Sequence, residues 1–520
     1  MGSVVIFMEN YGNYLKEKLW EISSELSNNK DINEFKKYIL GFIFYKYLSE
    51  KIDFTLSEEL KIDNLTFEEA YNIPDYSDAL KDEAFDSLGY FIEPEFLFKN
   101  LVEQAKVEDE NFLSNVERAL KKVTDSVIGR ESAPDFENLF SDINLNAPIL
   151  GNSVSSRSKS IGELFTELNS VDFKINEDVN YLADSFEFLI TNFAIATGSQ
   201  ANKLYTPKTI SNLISKLVTY GKDRILNVFD PACGSCSLLL NIKNEVSISN
   251  YFGQEIIQTT YNHARMNMIL HDVHFEDFDI KQGDSIENPK FLDDKFEVVV
   301  SHPPFSENWS ANNKFLEDER FSPAGRLPPK SREDYAFVED MIYHLDENGI
   351  MAVVLPHGVL FRGHAEKAIR KHLINEKNYL DAIIGLPSGL FHGNAISAII
   401  MIFKKDREED DNILFIDASK EYEKIRTQNI IPYESIDKIV DTYVNRLETD
   451  KFSHCASLSE IGENDFNLNI PRYVDTFEEE DPIDLDEVCD ELEKISNEIE
   501  DIDNEIKKYC DELGIRPPIF

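Results

Sequence analysis

Asp230-Pro231-Ala232-Cys233-Gly234-Ser235-Cys236 follows an apolar run at 225–229 and precedes Leu238-Leu239-Leu240. This reads as a buried parallel strand, a tight loop of small residues and the start of a helix. Gly234 and the serines allow backbone N–H groups to approach a ligand where the helix dipole favours negative charge. About 20 residues after the loop, where a nucleotide-binding βαβ unit places the carboxylate for ribose hydroxyls, Gly253-Gln254-Glu255 closes a second strand at Tyr251-Phe252. A strand-to-helix turn with no ligand is the plainer alternative; the spacing to Glu255 favours a ligand. Gly283-Asp284 ends a third strand, and Ser301-His302-Pro303-Pro304-Phe305 follows a fourth at 296–300. Ligands of open α/β sheets bind beyond the carboxyl ends of strands, so Asp230, Glu255, Asp284 and His302 converge on one site. Cys233-x-x-Cys236 has redox spacing, but it sits inside the nucleotide-type loop, and one such pair is weak support for zinc. No metal is expected.

Strand–helix alternation from 225 to about 404 predicts an α/β domain, with a helix at 334–345 and further strands at 350–355, 380–384 and 399–403. Residues 10–160 read as helical. Asp31-Ile32-Asn33-Glu34 has the form of a capping box, and Leu40, Phe44, Tyr47 and Leu48 make an apolar stripe at helical spacing. Another helix is expected at 178–196. Tyr205-Thr206-Pro207 then leads into a helix at 210–218, with Pro207 suited to its first turn. Residues 405–475 are mixed and acidic. Beyond them Leu485, Val488, Leu492, Ile495, Ile499, Ile502, Ile506, Tyr509 and Leu513 alternate spacings of three and four, a heptad seam that needs a partner. An intramolecular hairpin and docking on another subunit both satisfy it. The resulting division is 1–165 helical, 166–475 catalytic and 476–520 a coiled-coil-type helix.

A chain of 520 residues exceeds one ordinary core. With 52 Lys and Arg against 97 Asp and Glu, the net charge of −45 excludes gripping nucleic acid through the overall field. Were DNA the substrate, most phosphate contacts would come from a local cleft or another subunit. No stretch reaches the roughly 20 apolar residues of a membrane span, and five cysteines suggest a reducing cytoplasm.

Taken in order, several stretches resemble landmarks of the modification (methyltransferase) subunits of type I restriction–modification systems. They are Tyr205-Thr206-Pro207, the 230–235 loop, Gly253-Gln254-Glu255, Ala264-Arg-Met-Asn-Met-Ile-Leu-His-Asp272, Gly283-Asp284, Pro303-Pro304-Phe305, Leu355-Pro-His-Gly-Val-Leu-Phe-Arg-Gly363 and Asn469-Ile-Pro-Arg-Tyr473. The resemblance implies an N-terminal helical domain and a Rossmann-like α/β methyltransferase domain dependent on S-adenosylmethionine. It implies methylation of adenine N6 in DNA. The partners it implies are a specificity subunit, a second methyltransferase subunit and a restriction (motor and nuclease) subunit. Carried onto this chain, the 230–236 loop (Asp230, Pro231, Cys233, Gly234, Ser235, Cys236) holds the cofactor, Tyr205-Thr206-Pro207 lines its methionine end, Glu255 takes the ribose and Asp284 the adenine amino group. The flipped target base enters His302-Pro303-Pro304-Phe305, with Phe305 stacking on it.

Four positions depart from the family pattern. His302 stands where the family has asparagine, Cys236 where it has glycine, Lys203-Leu204 where it has Glu-Phe, and Ser397 where it tends to have proline. They leave open a catalytically impaired or inactive structural subunit of the same complex. A methyltransferase acting on protein or a small molecule is a further alternative.

Overall fold

The structure is a computed structural model describing residues 2–27, 31–175, 180–196, 206–391, 396–408, 412–425, 428–476 and 485–518. It forms two compact units, Met1–Asp475 and Thr476–Phe520.

The first part of the larger unit is helical. Its helices include Gly2–Leu26, Ile32–Glu59, Pro74–Leu88, Phe112–Ser126 and Val154–Asn169. Asp31 caps the second of these with a single bond, its carboxylate accepting from the Asn33 N–H at 2.9 Å, rather than through a box closed by Glu34. The stripe of Leu40, Phe44, Tyr47 and Leu48 is buried, and the helical core extends from Leu15 through Phe193 in the helix Tyr181–Ala196. Pro207 occupies the cap position before the helix Lys208–Thr219 rather than its first turn.

The strands are β1 (Arg224–Asp230), β2 (Ser247–Glu255), β3 (Phe278–Gln282), β4 (Phe296–Ser301), β5 (Leu345–Pro356), β6 (Leu380–Gly385), β7 (Ala398–Lys404), β8 (Ile413–Asp417), β9 (Glu423–Ile425), β10 (Gln428–Ile430) and β11 (Ser453–Ala456). Nine of them form one sheet in the order β11-β8-β6-β7-β5-β4-β1-β2-β3; β9 and β10 pair separately. β3, β2, β1, β4 and β5 run parallel, and β7 is antiparallel between β5 and β6. The carboxyl ends of β1 to β6 therefore share one edge. Strand order reverses between β1 and β4, which opens a crevice there.

The helix Gln258–Leu270 belongs to two cores at once. Met266 and Leu270 pack in the helical core, while Ala264 and Met268 pack against the sheet. Arg265, 1% exposed, donates to the carbonyls of Pro134 and Glu137 at 2.8 and 2.9 Å. Asn267 donates to the Ser235 carbonyl at 2.9 Å and to Glu187 at 3.2 Å. Just beyond the helix, Asp272 meets Lys51 at 3.0 Å and the Tyr47 hydroxyl at 3.3 Å. Seven residues of the Ala264–Asp272 landmark thus fasten the helical part to the sheet and to the loop after β1.

Among the described residues the smaller unit holds one helix, Leu485–Leu513. Its seam residues Val488, Leu492, Ile495, Ile499 and Ile502 are each at least 40% exposed along it. Among the described residues this unit does not double back into a hairpin. No described helix is long and apolar enough to cross a membrane.

Candidate active site

The loop after β1 is shaped by bonds from neighbouring strand ends. The Asp230 carboxylate, 2% exposed, accepts from the Ser301 hydroxyl at 2.7 Å and from the Ala232 N–H at 2.9 Å with the same oxygen, bridging β1 to β4 across the crevice. The Cys233 N–H donates to the Gln254 carbonyl at 3.1 Å. Gly253 permits that approach, since a Cβ there would lie 2.9 Å from Cys233 Sγ. The Ser285 hydroxyl donates to the Pro231 carbonyl. Ser235 and Ser237 hydroxyls are 2.9 Å apart at the start of the helix Ser237–Lys243.

Cys236 has φ +63°, the left-handed region that disfavours a side chain by roughly 1–2 kcal/mol. Its position thus asks for glycine, yet its sulfur is fully buried in the apolar cluster with Cys233, Leu239 and Met268. The thiol lies in the core and does not crowd the open face of the loop. The Cys236 thiol beside it, together with burial, holds the Cys233 thiol well above its ordinary range, the reverse of what a reactive thiol needs.

Glu255 ends β2 and is 7% exposed. One carboxylate oxygen accepts from the Gly234 N–H at 3.1 Å, the other from the Ile257 N–H at 2.7 Å. Burial raises its pKa against these bonds. The Ile256 backbone also bonds to it, which leaves room on the carboxylate for a further donor. Ile256 and Ile257 beside it are 56% and 41% exposed. Asp284 is half-buried and turns one oxygen onto the N–H groups of Ile286 and Glu287 at 2.9 and 3.0 Å. Buried carboxylate acceptors flanked by exposed aliphatic side chains suit an adenosyl group, whose ribose and amino groups donate and whose ring is apolar on both faces. Among the described residues no group of three or more His, Cys, Asp or Glu is placed to hold a metal ion.

The loop after β4 carries the aromatic groups. Pro303 is buried; His302, Pro304 and Phe305 are half-buried. His302 Nδ1 lies 3.1 Å from Thr206 Oγ1. Its ring centroid is 5.1 Å from that of Phe305 and 5.2 Å from that of Phe391, which are 5.6 Å from each other. Burial pushes the His302 imidazole down to about 4, so it is neutral at physiological pH. An unperturbed imidazole near ~6.5 would have kept roughly a tenth to a quarter of its charge there. Pro207 is buried next to Thr206; Tyr205 lies outside the described residues, as do Lys203 and Leu204. Ser397 is distant in sequence but accepts from the His357 N–H at 3.1 Å through its carbonyl. Phe391 and Ser301 were not singled out from the sequence. Both sit at or after the carboxyl end of a strand on the shared edge, and that rule was the available signal.

Burial pushes the Asp230 carboxyl up to about 7 and that of Asp135, near Arg265, up to about 8. The folded chain keeps protons that the unfolded chain loses near pH ~4. Their contribution is complete below that pH and is lost as pH rises through 7 to 8. Each group changes stability by on the order of 1 kcal/mol per pH unit over this window. Thermal denaturation should therefore show Tm rising as pH is lowered from 8.5 to 6, and Asp230→Asn should flatten part of that slope. A Tm that falls over this range contradicts the assignment.

Parallel strands with their order reversed between β1 and β4, β7 inserted antiparallel between β5 and β6, and acidic residues at the shared edge make a doubly wound α/β fold with a nucleotide-type crevice. Likeness to known proteins makes that fold a methyltransferase of the S-adenosylmethionine-dependent class. The N-6 DNA Methylase family matches residues 177–482, and the HsdM N-terminal domain matches 15–168. The type I restriction enzyme MpnII methylase subunit of Mycoplasma pneumoniae is 34% identical over 497 residues, covering 91% of each chain. The MjaVII methylase subunit of Methanocaldococcus jannaschii is 31% identical over 474 residues, covering 88% of this chain and 77% of that one. A crystal structure of a type I restriction-modification methyltransferase subunit from Streptococcus thermophilus superposes with a TM-score of 0.83 at 37% identity, covering 89% of this chain and all of that one. The chain belongs to the N-6 DNA methylase family, as a type I restriction–modification methylase subunit that methylates adenine N6 in DNA.

Proposed function

We propose that S-adenosylmethionine lies over residues 230–236, with Glu255 on the ribose hydroxyls, Asp284 on the adenine amino group and Thr206-Pro207 along the methionine end. The supporting observation is the gathering of Asp230, Glu255, Asp284 and His302 at one sheet edge, on the strand-order reversal. The cofactor supplies an electrophilic methyl group carried on a sulfonium. The protein's own part is placement. The target adenine leaves the duplex and stacks on Phe305, within the aromatic group that includes Phe391. With its Nδ1–H donating to Thr206 Oγ1, His302 presents the Nε2 lone pair to the adenine amino group. The Pro303 carbonyl offers a second acceptor, so the N6 lone pair turns toward the methyl. Two hydrogen bonds and a stacked ring are positioning effects of the kind that supply much of a barrier reduction.

In this reading the partners are DNA, a specificity subunit that selects the sequence, a second copy of the methyltransferase subunit and a restriction subunit, in the cytoplasm. With a net charge of −45, the other subunits supply most phosphate contacts. The working division follows 1–165, 166–475 and 476–520.

A methylation assay on DNA, with and without a co-expressed specificity subunit, tests the reading. Methyl transfer is expected only with the specificity subunit; no transfer in either case, while S-adenosylmethionine binds, contradicts it. Glu255→Ala should weaken S-adenosylmethionine binding by about 1–3 kcal/mol through lost charge-assisted hydrogen bonds. Calorimetry giving an unchanged Kd removes Glu255 from the ribose site.

A further inference from the structure

Leu355-Pro-His-Gly-Val-Leu-Phe-Arg-Gly363 leaves β5 at the edge where His302 leaves β4, yet it has no role in the site above. Its Arg362 side chain is 16% exposed and reaches the residue after Phe305. Nη1 donates to Asp334 at 2.6 Å and Glu366 at 3.2 Å; Nη2 donates to Ser306 Oγ at 3.1 Å. Asp334, 1% exposed, accepts from the Ser306 N–H at 2.9 Å and from its hydroxyl at 3.2 Å. Ser306 has φ +53°, a conformation that a side chain resists, so it has to be held. Gly358 makes room for the guanidinium: a Cβ there would lie 2.9 Å from Arg362 Nε. Arg370, 2% exposed, donates to the carbonyls of Val359 at 2.8 Å and Arg362 at 2.6 Å, which fixes the segment bearing the guanidinium.

We propose that Arg362 and Asp334 are positioning residues for the target-base ring, locking Ser306 in its left-handed turn and thereby setting the orientation of Phe305. The inference rests on the reading of Phe305 as the base-stacking group. Without the guanidinium, the buried carboxylates of Asp334 and Glu366 lose the cation they share and repel each other. Ser306 then loses its bond to Nη2, and its turn is held only by an Asp334 whose own position is no longer fixed by the guanidinium. A shift of about 1 Å in a reacting group is enough for a roughly 10²-fold loss of rate.

The test is a mutant cycle in the full methyltransferase–specificity complex, read as single-turnover methyl transfer, with S-adenosylmethionine affinity and Tm measured alongside. Arg362→Gln should slow transfer by about 10- to 100-fold with S-adenosylmethionine affinity within about twofold of the parent. Arg362→Lys should recover part of the loss, since it restores the charge but not the forked geometry. In the Phe305→Ala background Arg362→Gln should cost little more. A full multiplicative loss there, or an Arg362→Gln enzyme as fast as the parent, overturns the proposal. If Arg362→Gln does not fold, Ser306→Ala enters the same cycle, with a smaller loss that Phe305→Ala should again absorb. A Phe305→Ala enzyme as fast as the parent overturns the base-pocket reading instead, and the positioning role with it.

Discussion

Phe305→Ala should lower methyl transfer by on the order of 10²-fold while leaving S-adenosylmethionine binding nearly unchanged. Stacking of a base on an aromatic ring contributes about 1–3 kcal/mol, and each 1.36 kcal/mol is tenfold in rate. The ring packs edge-on against His302 and Phe391, so its removal also loosens the imidazole. His302→Asn should sustain transfer or raise it, because a carboxamide oxygen accepts without needing a fixed tautomer. The parent should show no loss of rate between pH 8 and 6 attributable to His302, whose imidazole is neutral down to about 4. Parent activity insensitive to Phe305→Ala removes this loop as the base pocket. An acid limb near pH 6.5 that disappears in His302→Asn shows that burial does not hold the imidazole neutral.

Deleting residues 480–520 should abolish assembly with the specificity subunit, while the unit Met1–Asp475 stays folded. The seam from Val488 to Ile502 is exposed, and burying each such side chain in a partner contributes about 1.5–3 kcal/mol. Ile495→Asp with Ile499→Asp should therefore weaken assembly by several kcal/mol without the deletion. Size-exclusion chromatography showing intact complexes with either variant would place the contact elsewhere.

The strands that carry the site were legible because buried parallel strands read as unbroken apolar runs. β1 and β4 fall where those runs fall, and Asp230 and His302 at or just beyond their ends follow from them, while Glu255 and Asp284 at the ends of the more polar β2 and β3 were found by their spacing from the loop after β1 and by Gly283. β8, β11 and the helix Tyr433–Asn445 were not read. β8 is only five residues long, after an acidic stretch, and Ser453–Ala456 has no alternation; its pairing comes from β8, a tertiary partner. The charge state of His302 was not legible for a related reason. Its pKa follows from burial, and the packing against Phe391 joins residues far apart in the chain. For Cys236, backbone geometry was legible from the glycine pattern, but the direction of its sulfur was not.

The helix Gln258–Leu270 bears on how such chains can recombine. Its Arg265 satisfies carbonyls of the helical part, its Asn267 holds the Ser235 carbonyl of the cofactor loop, and its apolar residues are divided between the two cores. A crossover placed between residues 169 and 206 looks like a seam between modules, yet it would pair one parent's helical core with the other parent's Arg265, Met266 and Leu270. Exchange at that point therefore requires residues 258–272 to match both the helical part and the cofactor loop, so the set of residues that must agree is discontinuous in the chain.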